Sequence, residues 1–493
     1  MEDLIEYLKS KLKNLNDIYF RELNIKGKKV YIVFSDALVD SNLVSNYVVR
    51  SIVEIITNEP VDERKNTLKD KIEEKIGINT SNIDLEDYIA INKVKKLDKE
   101  KDNLFTYILS GFVLIVLTDG IYAVETKASL VRGISEPTSE NSVRGAKDSF
   151  VENIMTNIGL VRRRLKTEKL EYKESKIGTK TKTTVGIMYI SDIAKPDLVN
   201  LVVEKLNKII IDGILDINYI QEYIEEKNES DFPVSINTER PDIVSYYLLQ
   251  GRIAVLVDNS PYVLVLPAFF EDFINHIDDV YQKSKNVTIT KIIRYVCLVL
   301  TVTIPALYLS LITFDQESIP TELLTSFAAQ REGVPFPAFI EAIAMIFAFE
   351  ILRESDLRSN KITGNTMSIV GALILGDAAV SAGIVSPIMI IVVALTTISG
   401  LTFSDINVVN ALRKWRAIYM IFFFLFGLIG MAMATILFVT RLVSTNSYTK
   451  SFTYPVAPLN MTQLKKSLFT RMAIPKDNKR QKILTNNLTR SRE

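Results

Sequence analysis

The chain has 493 residues, and its 59 Lys plus Arg nearly balance 58 Asp plus Glu, so no charge excess points to nucleic acid. One cysteine, Cys297, excludes an intrachain disulfide and a thiolate metal cluster, and one histidine, His276, removes His-based zinc sites and argues against a Ser-His-Asp triad. Mean hydropathy is mildly positive, which places the chain among proteins joining a polar part to a very apolar one.

MEDLIEYLKSKLKNLND at the start is charged from its second residue and lacks an apolar core, so the N-terminus is expected in the cytoplasm. The strand pattern VYIVFSDALVD (30–40) is followed by an amphipathic helix, LVSNYVVRSIVEII (43–56). VKKLDKEKDN (94–103) alternates in sign and reads as a solvated face. ILSGFVLIVLTDGIYAV (108–124) reads as a β-hairpin turning at Asp119-Gly120. A first α/β subdomain is expected over 1–130 and a helical linker over 131–170, with an apolar face of Phe150, Ile154, Ile158 and Val161. In this linker Arg144, Arg162, Arg163 and Arg164 are candidates for a subunit interface, against the plainer reading of a charged helix.

The second subdomain, 171–290, echoes the first. IMYISDIAKPD (187–197) matches the first strand and its Ser-Asp ending, LVNLVVEKLNKIII (198–211) matches the helix, and LLQGRIAVLVDNSPYVL (248–264) matches the hairpin. The spacing from Gly111 to Tyr122 equals that from Gly251 to Tyr262. The fold class expected for this half is therefore a duplicated α/β domain.

Near residue 290 the composition changes, and a transmembrane helical domain is expected over 291–442 with four to five apolar segments, followed by a basic tail over 443–493. Tyr295–Phe314 and Ala417–Thr440 hold twenty and twenty-four residues without a charge, each enough to cross about 30 Å of hydrocarbon. A further uncharged run lies between Asp377 and Asp405; residues 333–352 make a fourth candidate, and Ile362–Gly376 is short for a span. Loop 315–332 is acidic and suits the outside, whereas Arg353, Arg358 and Lys361 suit the inside. Arg413, Lys414 and Arg416 and the basic tail both want the cytoplasm, yet a single crossing separates them. The tail is placed inside here, with the short segment not crossing.

Neither GxxxxGK[ST] nor GxGxxG after a strand occurs, and no catalytic constellation is found, so an enzyme, a cofactor and a metal site are not expected. His276 and Cys297 read as structural. Intramembrane carboxylates are costly and face a partner or a watery path, which makes Glu341, Glu350 and Asp377 ion-path candidates, against an interfacial salt bridge with Arg353 for Glu350 and polar glue between helices for Glu341 and Asp377. Glu341 reads as mid-segment and without a partner, nine residues from Glu350, which has Arg353 three residues on. Pro305 and Pro387 are candidate bends inside helices, and Pro335 and Pro337 form a corner before the fourth segment.

EGVPFPAFIEAIAMIFAFEILRESDLR (332–358) with SIVGALILGDAAVSAGIVSPIMIIVVALTTISGLTF (368–403) resembles the signature of the GerA family of spore germination proteins, and in particular the A subunit of nutrient germinant receptors. The resemblance extends through SEPTSENSVRGAKDSFVENIMTNIGLVRRRL (135–165), ERPDIVSYYLLQGRIAVLVDNSPYVLVLP (239–267) and FDQESIPTELLTSFAAQREGVPFP (314–337). It implies an integral protein of the endospore inner membrane, assembled as a pentameric homo-oligomer that conducts ions. It also implies two partners: a permease-like B subunit that senses nutrient and a lipoprotein C subunit. Glu341 and Glu350 match acidic positions of the family stretch. Asp377 falls where relatives often carry an uncharged polar residue, a departure from the family pattern. The alternatives are a SpoVA-associated paralogue that amplifies ion release, a secondary transporter and a passive scaffold.

Overall fold

The computed structural model describes residues 2–57, 94–127, 137–358 and 371–468, with short breaks inside them, and scattered residues from 480 to 489. Asp119, residues 359–370 and most of 469–493 lie outside the described residues. The chain forms two units, one of Met1–Lys227, Ser235–Pro267 and Asp477–Glu493, the other of Asn228–Val234 and Ala268–Lys476.

The first unit is mixed α/β and contains two five-stranded antiparallel sheets. One comprises β1 (Ile18–Ile25), β2 (Lys28–Ser35), β3 (Val94–Leu97), β4 (Phe112–Leu117) and β5 (Gly120–Glu125), in the order β1-β2-β4-β5-β3. The other comprises β6 (Leu170–Ile177), β7 (Thr183–Ile190), β8 (Ile236–Thr238), β9 (Ile253–Val257) and β10 (Val263–Leu266), in the order β6-β7-β9-β10-β8. Strand for strand the two orders are the same. The helices repeat as well. α1 (Glu2–Lys11) precedes the first sheet, α2 (Arg50–Thr57) follows β2, and α3 (Lys101–Ile108) precedes β4. Their counterparts are α4 (Ile154–Arg164), α5 (Pro196–Asn207) and α7 (Pro241–Leu248), with α6 (Ile217–Ile224) between the last two. The central strands are apolar throughout because both faces are covered. In the first sheet Leu114 and Val116 pack with Leu8 and Ile108, while Val113 and Ile115 pack with Val48 and Ile52. Helix α4, read from sequence as part of a linker, is the counterpart of α1. Its Phe150–Val161 face packs against Tyr172, Met188 and Leu256 in the second core.

The two copies close one corner in parallel ways. In the first, Gly111 (φ +83°) faces Lys127 and the Leu38 carbonyl, and Lys127 bridges to Val39. After β10 the chain leaves this unit, and the corresponding corner at Gly251 (φ +93°) is filled by Leu484 and Thr485, both buried. Part of the tail thus completes the second repeat.

The second unit is helical: α8 (Ser284–Thr313), α9 (Thr321–Arg331), α10 (Ala338–Arg358), a helix over 373–381, α11 (Pro387–Gly400), α12 (Ile406–Ser444) and α13 (Met461–Leu468). Among the described residues two helical stretches, Asn286–Thr313 and Ile406–Ser444, are long and apolar enough to cross a membrane. The second of them does not run straight. Gly427 has φ 59° and ψ −139°, a backbone open to glycine and strained for other residues. Across it the chain doubles back. The Tyr419 hydroxyl donates to Thr435 Oγ1 at 3.0 Å, and the Trp415 and Phe438 rings lie 5.0 Å apart, whereas 23 residues of straight helix would span about 35 Å. At Gly430 a Cβ would lie 2.0 Å from the Phe422 carbonyl oxygen, so the close approach of the two arms requires glycine there. The run 417–440, expected to cross once, is a helical hairpin.

Candidate functional site: the two ends of an apolar helix

Helix α10 carries two carboxylates in different settings. Pro335 and Pro337 lie in the turn before it, and the Pro337 carbonyl accepts the amides of Ile340 (2.9 Å) and Glu341 (3.1 Å). Glu341 therefore sits in the first turn, not mid-segment. It is 1% exposed and fully partnered. Its Oε1 accepts from Arg331 Nη2 at 3.2 Å, and its Oε2 accepts the backbone N–H of Ser386 (3.1 Å) and the Ser386 hydroxyl (2.9 Å). Ser386 is the residue before α11, so the carboxylate caps that helix and meets its positive dipole end. The expectation that Glu341 lacks a partner is corrected: it ties the end of α9, the start of α10 and the start of α11 together, as polar glue between helices does. Pro387 occupies the first turn of α11, where the missing N–H is harmless, so it is not an interior bend. Pro305 lies inside α8.

At the other end of α10, Glu350 faces three arginines. It pairs with Arg413 and lies 3.8 Å from both Arg353 and Arg416. Lys414, next to Arg413 in sequence, pairs with Asp231. Phe339, near the start of α10, stacks on Phe424 near the hairpin tip, with ring centroids 4.4 Å apart. Helix α10 and the first hairpin arm are thus antiparallel. The tip also meets Phe314, just past the end of α8.

Asp377 is placed differently from both glutamates. Its helix runs between the two ends of α10: Gly371 lies against Leu352, and Gly383 against the Gly333 carbonyl. Asp377 sits about midway, exposed, one turn from the exposed Leu373 and Ile374. Among the described residues it has no ion pair.

The arginines of the first unit separate. Arg162 is fully buried against Asp17 (2.5 Å), which removes it from any subunit interface. Arg163 and Arg164 both reach Asp148, at 3.1 and 2.5 Å, and Arg144 is exposed. Burial, and then the Arg294 charge, push the His276 pKa down, which keeps the ring neutral and suits a structural part. Sequence reasoning missed Asp17, Arg331 and Ser386. Ser-Pro before an apolar run does signal a helix start.

The family model described as "Bacillus/Clostridium GerA spore germination protein" matches residues 6–483. Spore germination protein KA of Bacillus subtilis (strain 168) is 35% identical over 466 residues, covering 94% of this chain and 82% of that protein. The B. subtilis uncharacterized membrane protein YfkQ is 34% identical over 475 residues, 94% of this chain and 88% of that one. Spore germination protein GerLA of Bacillus cereus is 31% identical over 462 residues, 92% and 90% of the two chains. The crystal structure of the N-terminal domain of the A subunit of the Bacillus megaterium spore germinant receptor GerK3 matches 54% of this chain and 94% of its own, at 30% identity and a TM-score of 0.38.

Proposed function

This chain belongs to the Bacillus/Clostridium GerA family of spore germination proteins, and from that premise we propose that it is the A subunit of a nutrient germinant receptor whose copies assemble into a cation channel of the spore inner membrane. A permease-like B subunit and a lipoprotein C subunit are its partners in this reading, and the α/β unit is cytoplasmic. The observation that carries conduction is Asp377. An exposed carboxylate halfway along an apolar helix is costly against lipid, by roughly 2–3 kcal/mol even on lenient insertion scales. It is stable where its face meets water and other copies of the chain, and a ring of such acids selects cations. Asp377→Asn at normal protein level is expected to slow the release of monovalent cations from germinating spores or to change its selectivity, with Asp377→Glu close to wild type. Unchanged release and selectivity in Asp377→Asn would exclude this path.

The hairpin gives the orientation a consistent basis. It brings Arg413, Lys414 and Arg416 to the same end as Arg441, and Glu350 brings Arg353 there too. The opposite end carries the acidic loop with Asp315, Glu317 and Glu322. Both basic groups then satisfy the positive-inside rule at once. With Cys297 replaced by Ser, cysteines introduced at Asn407 and Met461 are expected to react from the same, cytoplasmic, side. Labelling of the two from opposite sides would rule out the re-entrant arrangement.

A further inference from the structure

Arg353, Arg413 and Arg416 converge on the single carboxylate of Glu350. Glu354 also acts on Arg353 but is itself paired with Arg358, and Arg413 donates to Asn410 Oδ1, so the three arginines still outnumber the acids that face them. The site is half enclosed: the side chains of Arg416, Arg353 and Arg413 are 9%, 21% and 33% exposed, and that of Glu350 is 26% exposed. Arg416 is the most enclosed, and its contact with the carboxylate is 3.8 Å, longer than a hydrogen bond. Guanidinium groups held this way retain several N–H donors in a fixed planar fork, a geometry that matches phosphate oxygens. Like charges gathered in a partly desolvated place repel unless an anion joins them. The cluster also marks the polar end of apolar helices, at the C-terminal half of α10 and the base of the hairpin.

We propose that these three arginines and Glu350 form a binding site for the phosphodiester headgroup of an anionic membrane lipid. The site rests on the reading of α10 and the hairpin as membrane-embedded, and it is separate from the Asp377 path. One phosphate accepts from Arg416 and Arg353 while Arg413 stays on Glu350. The bound lipid neutralises the cluster and fixes the hairpin base against α10. Glu350 is then a built-in competitor: it occupies donors that the phosphate would otherwise take.

That competition gives a signed test. The full-length chain in detergent is titrated with phosphatidylglycerol, with phosphatidylcholine and with inorganic phosphate, and its thermal unfolding is followed. Phosphatidylglycerol is expected to stabilise it saturably, and phosphatidylcholine is expected not to. Arg353→Gln and Arg416→Gln each weaken the apparent affinity about five-fold, the effect of ~1 kcal/mol per basic residue at an anionic surface. Glu350→Gln strengthens it by a similar factor, although it removes every ion pair of the cluster. Arg353 is the more exposed of the two arginines tested, so its variant keeps the test open should Arg416→Gln not fold. Equal protection by inorganic phosphate overturns the lipid assignment. Loss of affinity in Glu350→Gln, or unchanged affinity in both arginine variants, overturns the site. A chain that fails to partition into vesicles while still binding phosphatidylglycerol in detergent would sink the membrane reading without touching the arginine chemistry.

Discussion

Glu341→Ala is expected to deplete the folded protein from membranes, with germination falling in proportion to protein level and ion selectivity unchanged in what remains. The carboxylate accepts from Arg331 and from the amide and hydroxyl of Ser386, so its removal orphans three donors at one point. Breaking a buried pair by deleting one partner costs about 3–5 kcal/mol, and the 22% exposure of Arg331 puts this case toward the lower end. Glu341→Gln keeps an acceptor for Ser386 and loses the charge on Arg331, so it should cost less. Arg331→Met with Glu341→Gln should regain part of the loss, because the unpaired cation goes too. Quantitative immunoblotting of membranes beside single-spore cation release separates level from conduction. Normal levels of Glu341→Ala with altered selectivity would give Glu341 a part in the proposed conduction and overturn its purely structural role.

The α/β duplication was legible because its landmarks are short and local: a strand ending in Ser-Asp, a helix starting Leu-Val, and a hairpin with a fixed glycine-to-tyrosine interval. The equivalence of α1 and α4 was not. LIEYLKSKL and IMTNIGLVRRR share only an amphipathic face, and the second ends in three arginines that read as a surface feature. The tail was opaque for another reason. Leu484 and Thr485 fill a corner beside Gly251 largely by backbone and shape, which no local pattern encodes. In the second unit the apolar runs were visible and their path was not. Hydropathy is uniform from 417 to 440, so the hairpin is signalled only by Gly427 and Gly430, and a glycine in an apolar helix is equally compatible with close packing. The acids show the same limit. Composition marks Glu341, Glu350 and Asp377 as anomalous, but enclosure by Ser386, exposure to arginines and exposure on an apolar face are tertiary facts.

The buried pair of the first unit should respond still more strongly than Glu341. Asp17 and Arg162 both have side chains at 0% exposure, and they join the two copies. Asp17 immediately precedes β1 and also accepts the Ser35 hydroxyl at 2.8 Å, while Arg162 donates to the Leu170 carbonyl at the start of β6. β1 and β6 are edge strands of their sheets, and Leu15 and Tyr172 bridge in parallel beside the pair. Either single replacement strands a charge where water cannot reach it. Asp17→Leu and Arg162→Met are each expected to cost about 3–5 kcal/mol, or roughly 10 °C in the unfolding of this unit. The double variant should recover most of that, since two apolar side chains of similar volume avoid the desolvation of both ions. Among the described residues the Arg162 Nε has no hydrogen-bond partner even in the intact pair, which strengthens the case for recovery. Thermal unfolding of the full chain, with amide exchange read at β1 and β6, measures the cycle. Additive losses in the double variant would mean that the two charges act independently, and the copies would then be held together by Leu15, Tyr172 and the α4 core alone.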